Sequence, residues 1–171
     1  MTETVLVQLN ELDTESQDTP EEATDMGSFN HSSIQANLAF LLKRLGQYRV
    51  AIELTLDVSS AQLDHLQIKD ELKPDVCLYP KRELSRPFDI LKMTEMPQLA
   101  IEILSPRQAT EDILRKFAAY FQLGVQSCWL VDPVTENVVV YTALEQRKTV
   151  SEGDVVDPVL GIQLPIAEIF E

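Results

Sequence analysis

The stretch PQLAIEILSP, residues 97–106, predicts a strand whose apolar side chains point to both faces of a sheet. A strand of this kind is typical of the centre of a sheet that is covered on both sides. Its one charged residue is Glu102, with Ile101 and Ile103 as neighbours. An ionised carboxylate in such surroundings has a large desolvation cost unless a partner neutralises or binds it. The stretch therefore predicts both the middle of the fold and a buried acid that needs a partner.

The segments around this strand predict an α/β fold, a mixed sheet with helices on its faces. Apolar residues recur at helical spacing over about 31–45, and a second helix is predicted from Thr110 to Leu123, ended by Gly124. Strict alternation of apolar and polar residues predicts a half-buried strand over 50–58. Shorter strands are predicted over 74–79, 128–133 and 138–143. The order α, β, β, β, α, β, β suits one layered domain, and we expect the C-terminal segment to pack back onto the sheet.

The negative charge of the chain is concentrated at its N-terminus. The 171 residues have a formal net charge of −14, and residues 1–25 contain eight acids and no Lys or Arg. The rest of the chain has 20 acids against 14 bases. We therefore predict a mobile acidic arm over residues 1–27, because such a segment buries too little apolar surface to fold, and one domain over residues 28–171. The acidic balance argues against a protein that coats nucleic acid through a broad basic surface.

Several other classes of protein are also excluded by the sequence. No apolar run approaches the roughly 18 residues that span a bilayer, and the acidic first residues do not resemble a secretory signal. We therefore expect a soluble cytoplasmic protein without membrane contact. Cys77 and Cys128 both lie in apolar segments and are predicted to be core residues, which argues against a zinc site and a thiol nucleophile.

Two further charged residues can be placed near Glu102. Asp75 begins the strand predicted over 74–79, and two carboxylates on adjacent strands can converge on one divalent cation such as Mg²⁺. On a helical wheel Lys116 lies at the margin of the buried face of the second helix, whereas Arg115 points away. These three charges, Asp75, Glu102 and Lys116, are the candidate site.

The order and spacing of four motifs resemble a known family. They are PDVCLYP at 74–80, PQLAIEILSP at 97–106, the pattern D-x-x-x-K-x-x-x-Y formed by Asp112, Lys116 and Tyr120, and WLVDP at 129–133. Together they resemble the Uma family of bacterial putative restriction endonucleases in the PD-(D/E)xK nuclease superfamily, over roughly residues 28–171. The resemblance implies a restriction-endonuclease-like α/β fold with a mixed central sheet flanked by helices. It also implies a metal-dependent endonuclease that hydrolyses DNA phosphodiester bonds with Mg²⁺ or Mn²⁺.

The resemblance further implies roles for the candidate residues. Asp75 and Glu102 correspond to the two metal-binding acids of the superfamily pattern. The pattern places its lysine two residues after the second acid, where this chain has Leu104. In this family the lysine stands on the following helix, at the position of Lys116, from which it could orient water or stabilise phosphate charge. We also expect a homodimer, because nucleases that cut both strands often pair two copies.

Each of the three charged candidates also has a simpler interpretation. Asp75 and Glu102 could belong to a structural ion pair, and Lys116 could be a surface lysine paired with Asp112 at i, i+4 spacing. A non-catalytic module that keeps the nuclease fold for protein or nucleic-acid interaction is the alternative function, and the acidic balance mildly favours it. The presence of all three charged residues favours the enzyme, since a decayed site is expected to lose at least one.

Other polar and aromatic residues are weaker candidates. Glu53 could be a third acid on the metal side, but a solvated position on the polar face of its strand is favoured. His31 and Gln35 share one helix face and His31 also matches a family position, yet a helix-start histidine without a catalytic role is favoured. Three aromatic residues are predicted to lie in the core, and one acid is predicted to shape a turn. The aromatic residues are Tyr120, Phe121 and Trp129, and the acid is Asp132.

Overall fold

The computed structural model describes residues 28–84, 87–106 and 108–171, and the acidic arm predicted over residues 1–27 lies outside them. Besides a short 3-10 helix (Asp64–Leu66), three α-helices and ten strands are assigned in these ranges. In chain order they are α1 (Phe29–Arg44), β1 (Tyr48–Ile52), β2 (Leu56–Asp57), β3 (Glu71–Leu72), β4 (Val76–Pro80), β5 (Leu99–Ile103), α2 (Thr110–Gln122), β6 (Ser127–Asp132), β7 (Asn137–Ala143), β8 (Gln146–Val150), β9 (Asp154–Asp157), β10 (Ile162–Pro165) and α3 (Ala167–Phe170). None of these helices is long and apolar enough to cross a membrane.

A six-stranded sheet forms the centre of the fold. Its order is β1-β4-β5-β6-β7-β8, and strands β5 and β6 are parallel while the other neighbours are antiparallel. The expected mixed α/β architecture is therefore confirmed. All five residues of β5 are buried, as the two-sided apolar pattern of this strand predicts. The described residues also form two small sheets, β2 with β3 and β9 with β10.

Each face of the central sheet has its own hydrophobic core. On one face α1 packs with side chains such as Leu38 and Leu42 against Ile101 and Trp129. The C-terminal segment joins this core through buried side chains such as Ile169, so its packing onto the sheet is confirmed. On the other face α2 contributes apolar and aromatic side chains over β5, β6 and β7. Helix α2 begins at Thr110 as predicted and ends one residue earlier than expected.

Several predicted core and turn residues lie where the sequence places them. Cys77 and Cys128 are buried and unpaired, and burial raises the pKa of the Cys77 thiol to about 12, so this group is no nucleophile at neutral pH. Trp129 is buried, and its indole Nε1 donates to Asp157 Oδ2 at 2.9 Å. Asp132 accepts hydrogen bonds from the turn that follows β6 and is the turn acid that we predict.

The prediction of one strand over 50–58 is wrong. Strand β1 ends at Ile52, and Glu53 has a φ of 49°, in the left-handed region that residues other than glycine seldom adopt. Glu53 N–H still donates to the carbonyl of Asp75 at 3.1 Å, but Leu56–Asp57 leaves the central sheet and pairs with Glu71–Leu72. The burial of β1 does not follow the alternating sequence pattern, because its first four residues are half-buried and Ile52 is exposed, whereas Leu56 of β2 is buried.

The sequence also does not predict β8, β9 and β10 as strands. Four of the five residues of β8 are exposed, since this strand lies at the edge of the central sheet, and its sequence QRKTV has no apolar alternation. Strands β9 and β10 have only four residues each. Their pairing is therefore set by tertiary contacts rather than by a strong local pattern.

Candidate active site

Three acids occupy one row across three neighbouring strands of the central sheet. The register pairs Val76 with Ile52 on one side and with Ile101 on the other. The acids Glu53 and Glu102 follow Ile52 and Ile101, and Asp75 precedes Val76 because β4 runs in the opposite direction, so the three acids form one row. The backbone hydrogen bond from Glu53 to Asp75 continues the ladder by one residue beyond β1. The strands thus bring together the two acids predicted to converge, with Glu53 as a third.

The three acids differ strongly in their exposure to solvent. The side chain of Glu53 is 53% exposed, that of Asp75 is 18% exposed and that of Glu102 is 3% exposed. The row therefore runs from solvent into the protein, with Glu102 at its inner end. Ionisation is costly for Glu102, because burial removes water from its carboxylate and raises its pKa.

Both oxygens of Glu102 accept hydrogen bonds from helix α2. Lys116 Nζ donates to Oε2 at 2.8 Å, and Tyr120 OH donates to Oε1 at 2.8 Å. The two donors are four residues apart and so lie on one face of the helix. Burial raises the pKa of Glu102, the Lys116 ammonium opposes this increase, and Asp75 adds to it. Burial and Glu102 raise the pKa of Tyr120 well above its usual value, so its hydroxyl keeps its proton and acts as a donor.

Asp75 is held from two other sides. Its Oδ1 lies 3.2 Å from His31 Nε2, and its Oδ2 accepts a hydrogen bond from the backbone N–H of Ile103 at 2.6 Å. His31 reaches Asp75 from the first turn of α1, where Ser28 Oγ caps the helix by accepting from His31 N–H. The hydrogen bond with Asp75 raises the pKa of His31, although burial partly opposes this effect. The protonated, charged form of His31 is therefore favoured next to Asp75.

Gln35 and Lys73 complete the outer side of the cluster. Gln35 Nε2 donates to the backbone carbonyl of Asp75 at 2.9 Å and lies 3.5 Å from Glu53 Oε1. Lys73 Nζ forms an ion pair with Glu53 Oε2 at 3.4 Å, and both side chains are about half exposed. Gln35 thus connects helix α1 to two members of the acid row, while Lys73 adds a positive charge at its solvent end.

The structure brings all six candidate residues into one cluster. They are Asp75, Glu102, Lys116, Glu53, His31 and Gln35. Lys116 pairs with Glu102 at 2.8 Å, and Asp112 pairs with Arg115 at 3.2 Å on the outer side of the helix. His31 is buried against Asp75 rather than simply lying at a helix start, and Glu53 lies at a strand break rather than within a strand.

Sequence analysis does not identify two of the polar residues of the cluster. Tyr120 is assigned to the core, and it is indeed fully buried, but its hydroxyl contacts Glu102. Its spacing of four residues from Lys116 is the signal that could have identified it. No local signal identifies Lys73, because its contact with Glu53 depends on the turn between β3 and β4.

Comparison with known proteins identifies the family. The sequence profile described as "Uma2: Putative restriction endonuclease" matches residues 11–167. The chain belongs to this family. The resemblance stated from the sequence motifs is therefore confirmed, and the profile match begins within the segment that we predict as the acidic arm. No curated protein matches the chain.

A solved structure supports the fold of this Uma2 family member. The chain is similar to the crystal structure of a putative nuclease belonging to DUF820 from Anabaena variabilis ATCC 29413. The TM-score is 0.66 at 22% sequence identity, and the match covers 85% of this chain and 82% of that chain. At this identity the likeness shows a shared fold, which agrees with the nuclease-like architecture that the sequence predicts.

The donor set of this Uma2 site fits a hard divalent cation at its two inner acids. Among the described residues, no three His, Cys, Asp or Glu side chains are placed to hold one ion together. Mg²⁺, however, commonly takes one or two carboxylates and completes its coordination with water and substrate phosphate. Asp75 and Glu102 face each other across β4 and β5 and supply oxygen ligands of this kind. The site therefore fits Mg²⁺ or Mn²⁺ better than a soft metal that prefers thiolates.

Proposed function

We propose that this Uma2 protein is a Mg²⁺- or Mn²⁺-dependent endonuclease that hydrolyses phosphodiester bonds of DNA. One observation carries the proposal: Asp75 and Glu102 lie on neighbouring positions of adjacent strands, and Lys116 donates to Glu102 at 2.8 Å. Membership of the family described as "Putative restriction endonuclease" supports the same chemistry. A purely structural ion pair needs only one acid and one base, whereas here two neighbouring acids share a partly buried site, one bonded to Lys116 and the other next to His31.

Under this proposal Asp75 and Glu102 would hold the ion. A bound Mg²⁺ would neutralise phosphate charge and lower the pKa of a water molecule. Other groups of the protein fix the position of each carboxylate. Ile103 N–H holds one oxygen of Asp75, and Tyr120 holds one oxygen of Glu102. Both acids therefore stand on a rigid frame of strands and helix, as metal ligands require.

Lys116 would act on the substrate. Its side chain is 29% exposed, so its ammonium lies between the buried Glu102 and solvent. From this position it can orient an attacking water molecule or stabilise the negative charge that develops on the phosphate. It also lowers the cost of keeping Glu102 ionised, because its charge opposes the effect of burial on the Glu102 pKa.

The remaining members of the cluster would orient Asp75 and extend the site toward solvent. His31 Nε2 lies 3.2 Å from Asp75 Oδ1, and Gln35 donates to the Asp75 backbone carbonyl, so both would fix the position of this acid. Glu53 is the exposed acid of the row and would be a third carboxylate near incoming substrate or metal. Cutting both strands of a duplex would need two such sites, so the proposal includes a homodimer, which sedimentation analysis can test.

The test of the proposal is metal-dependent nicking of DNA. Wild type, Asp75→Ala and Glu102→Ala are incubated with plasmid, single-stranded and branched DNA and with Mg²⁺ or Mn²⁺. Asp154→Ala is the control, because Asp154 is an exposed acid on β9 that bonds to Gln163 outside the site. We expect nicking by wild type and the control and none by the two site variants. Nicking that persists in both site variants would refute the assignment, and an inert wild type would favour the non-catalytic module.

A further inference from the structure

Tyr120 is the one buried hydroxyl that bonds to an acid of the row among the described residues. Its side chain is fully buried, and its OH donates to Glu102 Oε1 at 2.8 Å. Lys116, one helical turn earlier, donates to Oε2. Glu102 therefore has one donor for each oxygen, and both donors come from the same helix.

The two donors differ in their access to solvent. Lys116 is 29% exposed, whereas Tyr120 is fully buried. The carboxylate of Glu102 therefore has an inner oxygen, Oε1, bonded to Tyr120, and an outer oxygen, Oε2, bonded to Lys116. A long, flexible lysine side chain can follow a moving carboxylate or leave it for a substrate phosphate. Tyr120 has no such freedom, because its position depends on a ring packed in the core.

The ring of Tyr120 is fixed by its neighbours on α2 and the sheet. It packs against Phe117, with ring centroids 6.5 Å apart, and Phe117 packs edge-on against Tyr141 at 5.2 Å. Close packing of this kind leaves few alternative rotamers. The hydroxyl is thus a fixed point, and the carboxylate must align with it.

We propose that Tyr120 is a positioning residue that anchors the inner oxygen of Glu102 and so presents the outer oxygen to a divalent cation shared with Asp75. This inference rests on the proposed metal-dependent function. Without the anchor, the carboxylate can rotate and turn both oxygens toward Lys116, which competes with the cation for the same lone pairs. Partners that orient a metal ligand in this way typically change metal affinity by about 10- to 100-fold.

The test compares two buried tyrosines. Tyr120→Phe keeps the ring and its packing but removes the donor to Glu102. Tyr79→Phe is the matched control, because Tyr79 is also buried and its OH donates at 2.9 Å to a backbone carbonyl, that of Glu95. Mn²⁺ affinity is measured by electron paramagnetic resonance or calorimetry on protein that circular dichroism shows to be folded. We expect Tyr120→Phe to bind Mn²⁺ at least about 10-fold more weakly than wild type does. The Mn²⁺ affinity of Tyr79→Phe should equal that of wild type.

A merely structural role for Tyr120 gives a different result. In that case the melting temperature of both variants falls, and the Mn²⁺ affinity of both stays the same. This result would overturn the inference. As a second variant, Phe117→Leu removes the ring that supports Tyr120 and should weaken Mn²⁺ binding in the same direction. Nicking by Tyr120→Phe should recover as Mn²⁺ concentration is raised, since the chemistry of Lys116 is intact.

The outcome also separates this inference from the proposed function. A wild type that binds Mn²⁺, loses it in Glu102→Ala and keeps it in Tyr120→Phe would overturn the role of Tyr120 alone. A wild type without an Mn²⁺ site would overturn both. Weaker binding in Tyr120→Phe but not in Tyr79→Phe would support both together.

Discussion

Replacing Lys116 by Met removes a charge from the site while it keeps most of the shape of the side chain. The methionine retains the apolar stem that packs at the edge of α2 and lacks the ammonium that lies 2.8 Å from Glu102 Oε2. The Tyr120 hydroxyl then remains as a donor to Glu102, whose side chain is only 3% exposed. We expect the variant to lose both stability and activity, for reasons that can be separated.

The expected magnitudes follow from the burial of the pair. Removing one partner of a fully buried ion pair costs about 3–5 kcal/mol. Lys116 is 29% exposed and Glu102 can take up a proton, so we expect a smaller loss of about 1–3 kcal/mol at neutral pH. For a protein of this size the loss corresponds to a fall in melting temperature of roughly 3–10 °C. If Lys116 stabilises charge on the phosphate, the nicking rate should fall about 10²- to 10³-fold.

The stability loss of Lys116→Met should also depend on pH. Burial raises the pKa of Glu102 and Lys116 lowers it, so the variant has a still higher Glu102 pKa. A carboxyl group whose folded pKa exceeds its unfolded pKa destabilises the fold as pH rises through the folded value. The free energies of unfolding of variant and wild type should therefore be closest below about pH 4 and diverge as pH rises.

Arg115→Met is the matched control for this experiment. Arg115 is the preceding residue on the same helix, is 36% exposed and pairs with Glu111 and Asp112 on the outer side. Exposed pairs of this kind contribute about 0.2–1 kcal/mol, so its melting temperature should change little and its nicking should not change. The reasoning is refuted if Lys116→Met behaves like Arg115→Met in both measurements, or if its stability deficit shrinks with rising pH.

Three further predictions concern the surroundings of the site. Asp75 raises the pKa of His31, so the stabilisation from this pair is complete below about pH 6.5 and is lost as pH rises through the folded pKa. When the free energy of urea unfolding is measured against pH in EDTA, His31→Gln should flatten this part of the curve. A slope equal to that of wild type would contradict the prediction. Glu53→Gly should relieve the left-handed backbone and keep the free energy of unfolding unchanged or raise it by about 0.5–1 kcal/mol, while nicking falls. A marked loss of stability would show that Glu53 has a structural role instead. Asp157→Asn should cost about 1–3 kcal/mol because it weakens the buried bond from Trp129, whose fluorescence reports the unfolding, and should leave nicking unchanged; reduced nicking would mean that the two regions are coupled.

The parts of the fold that the sequence predicts well are those in which local pattern and tertiary burial agree. Strand β5 is apolar on both sides because it lies in the middle of the sheet, so the stretch predicted as a strand contains Leu99–Ile103, although it extends beyond both ends of the strand. Helix α2 is recovered because its apolar face and Gly124, which has a φ of 91°, define its extent. The break at Glu53 is missed, because a glutamate gives no sign of a left-handed conformation where glycine or asparagine would.

The part of the candidate site that the sequence predicts is again the part in which local pattern and tertiary burial agree. Glu102 on β5 and Lys116 on α2 are charged residues on elements that the sequence predicts, and both are placed toward the interior. This placement indicates that the two side chains meet. The contact of His31 with Asp75 depends on how the start of α1 approaches the start of β4, and no local sequence pattern indicates this approach. Tyr120 is missed for a different reason: one side chain belongs to the core through its ring and to the site through its hydroxyl.

The exposure of the acid row divides the site into parts with different tasks. At its inner end Glu102 is bonded to two groups of one helix, and Asp75 is bonded to a backbone N–H of β5, so little can move without disturbing the core. At its outer end Glu53 and Lys73 form an ion pair that is about half exposed and is weak enough to open at little cost. Under the proposed function the inner acids would define the geometry of the ion, and the outer pair would adapt to the substrate. Substitutions at Lys73 should therefore alter the choice of DNA substrate more than the affinity for Mn²⁺, whereas substitutions at Glu102 should do the reverse.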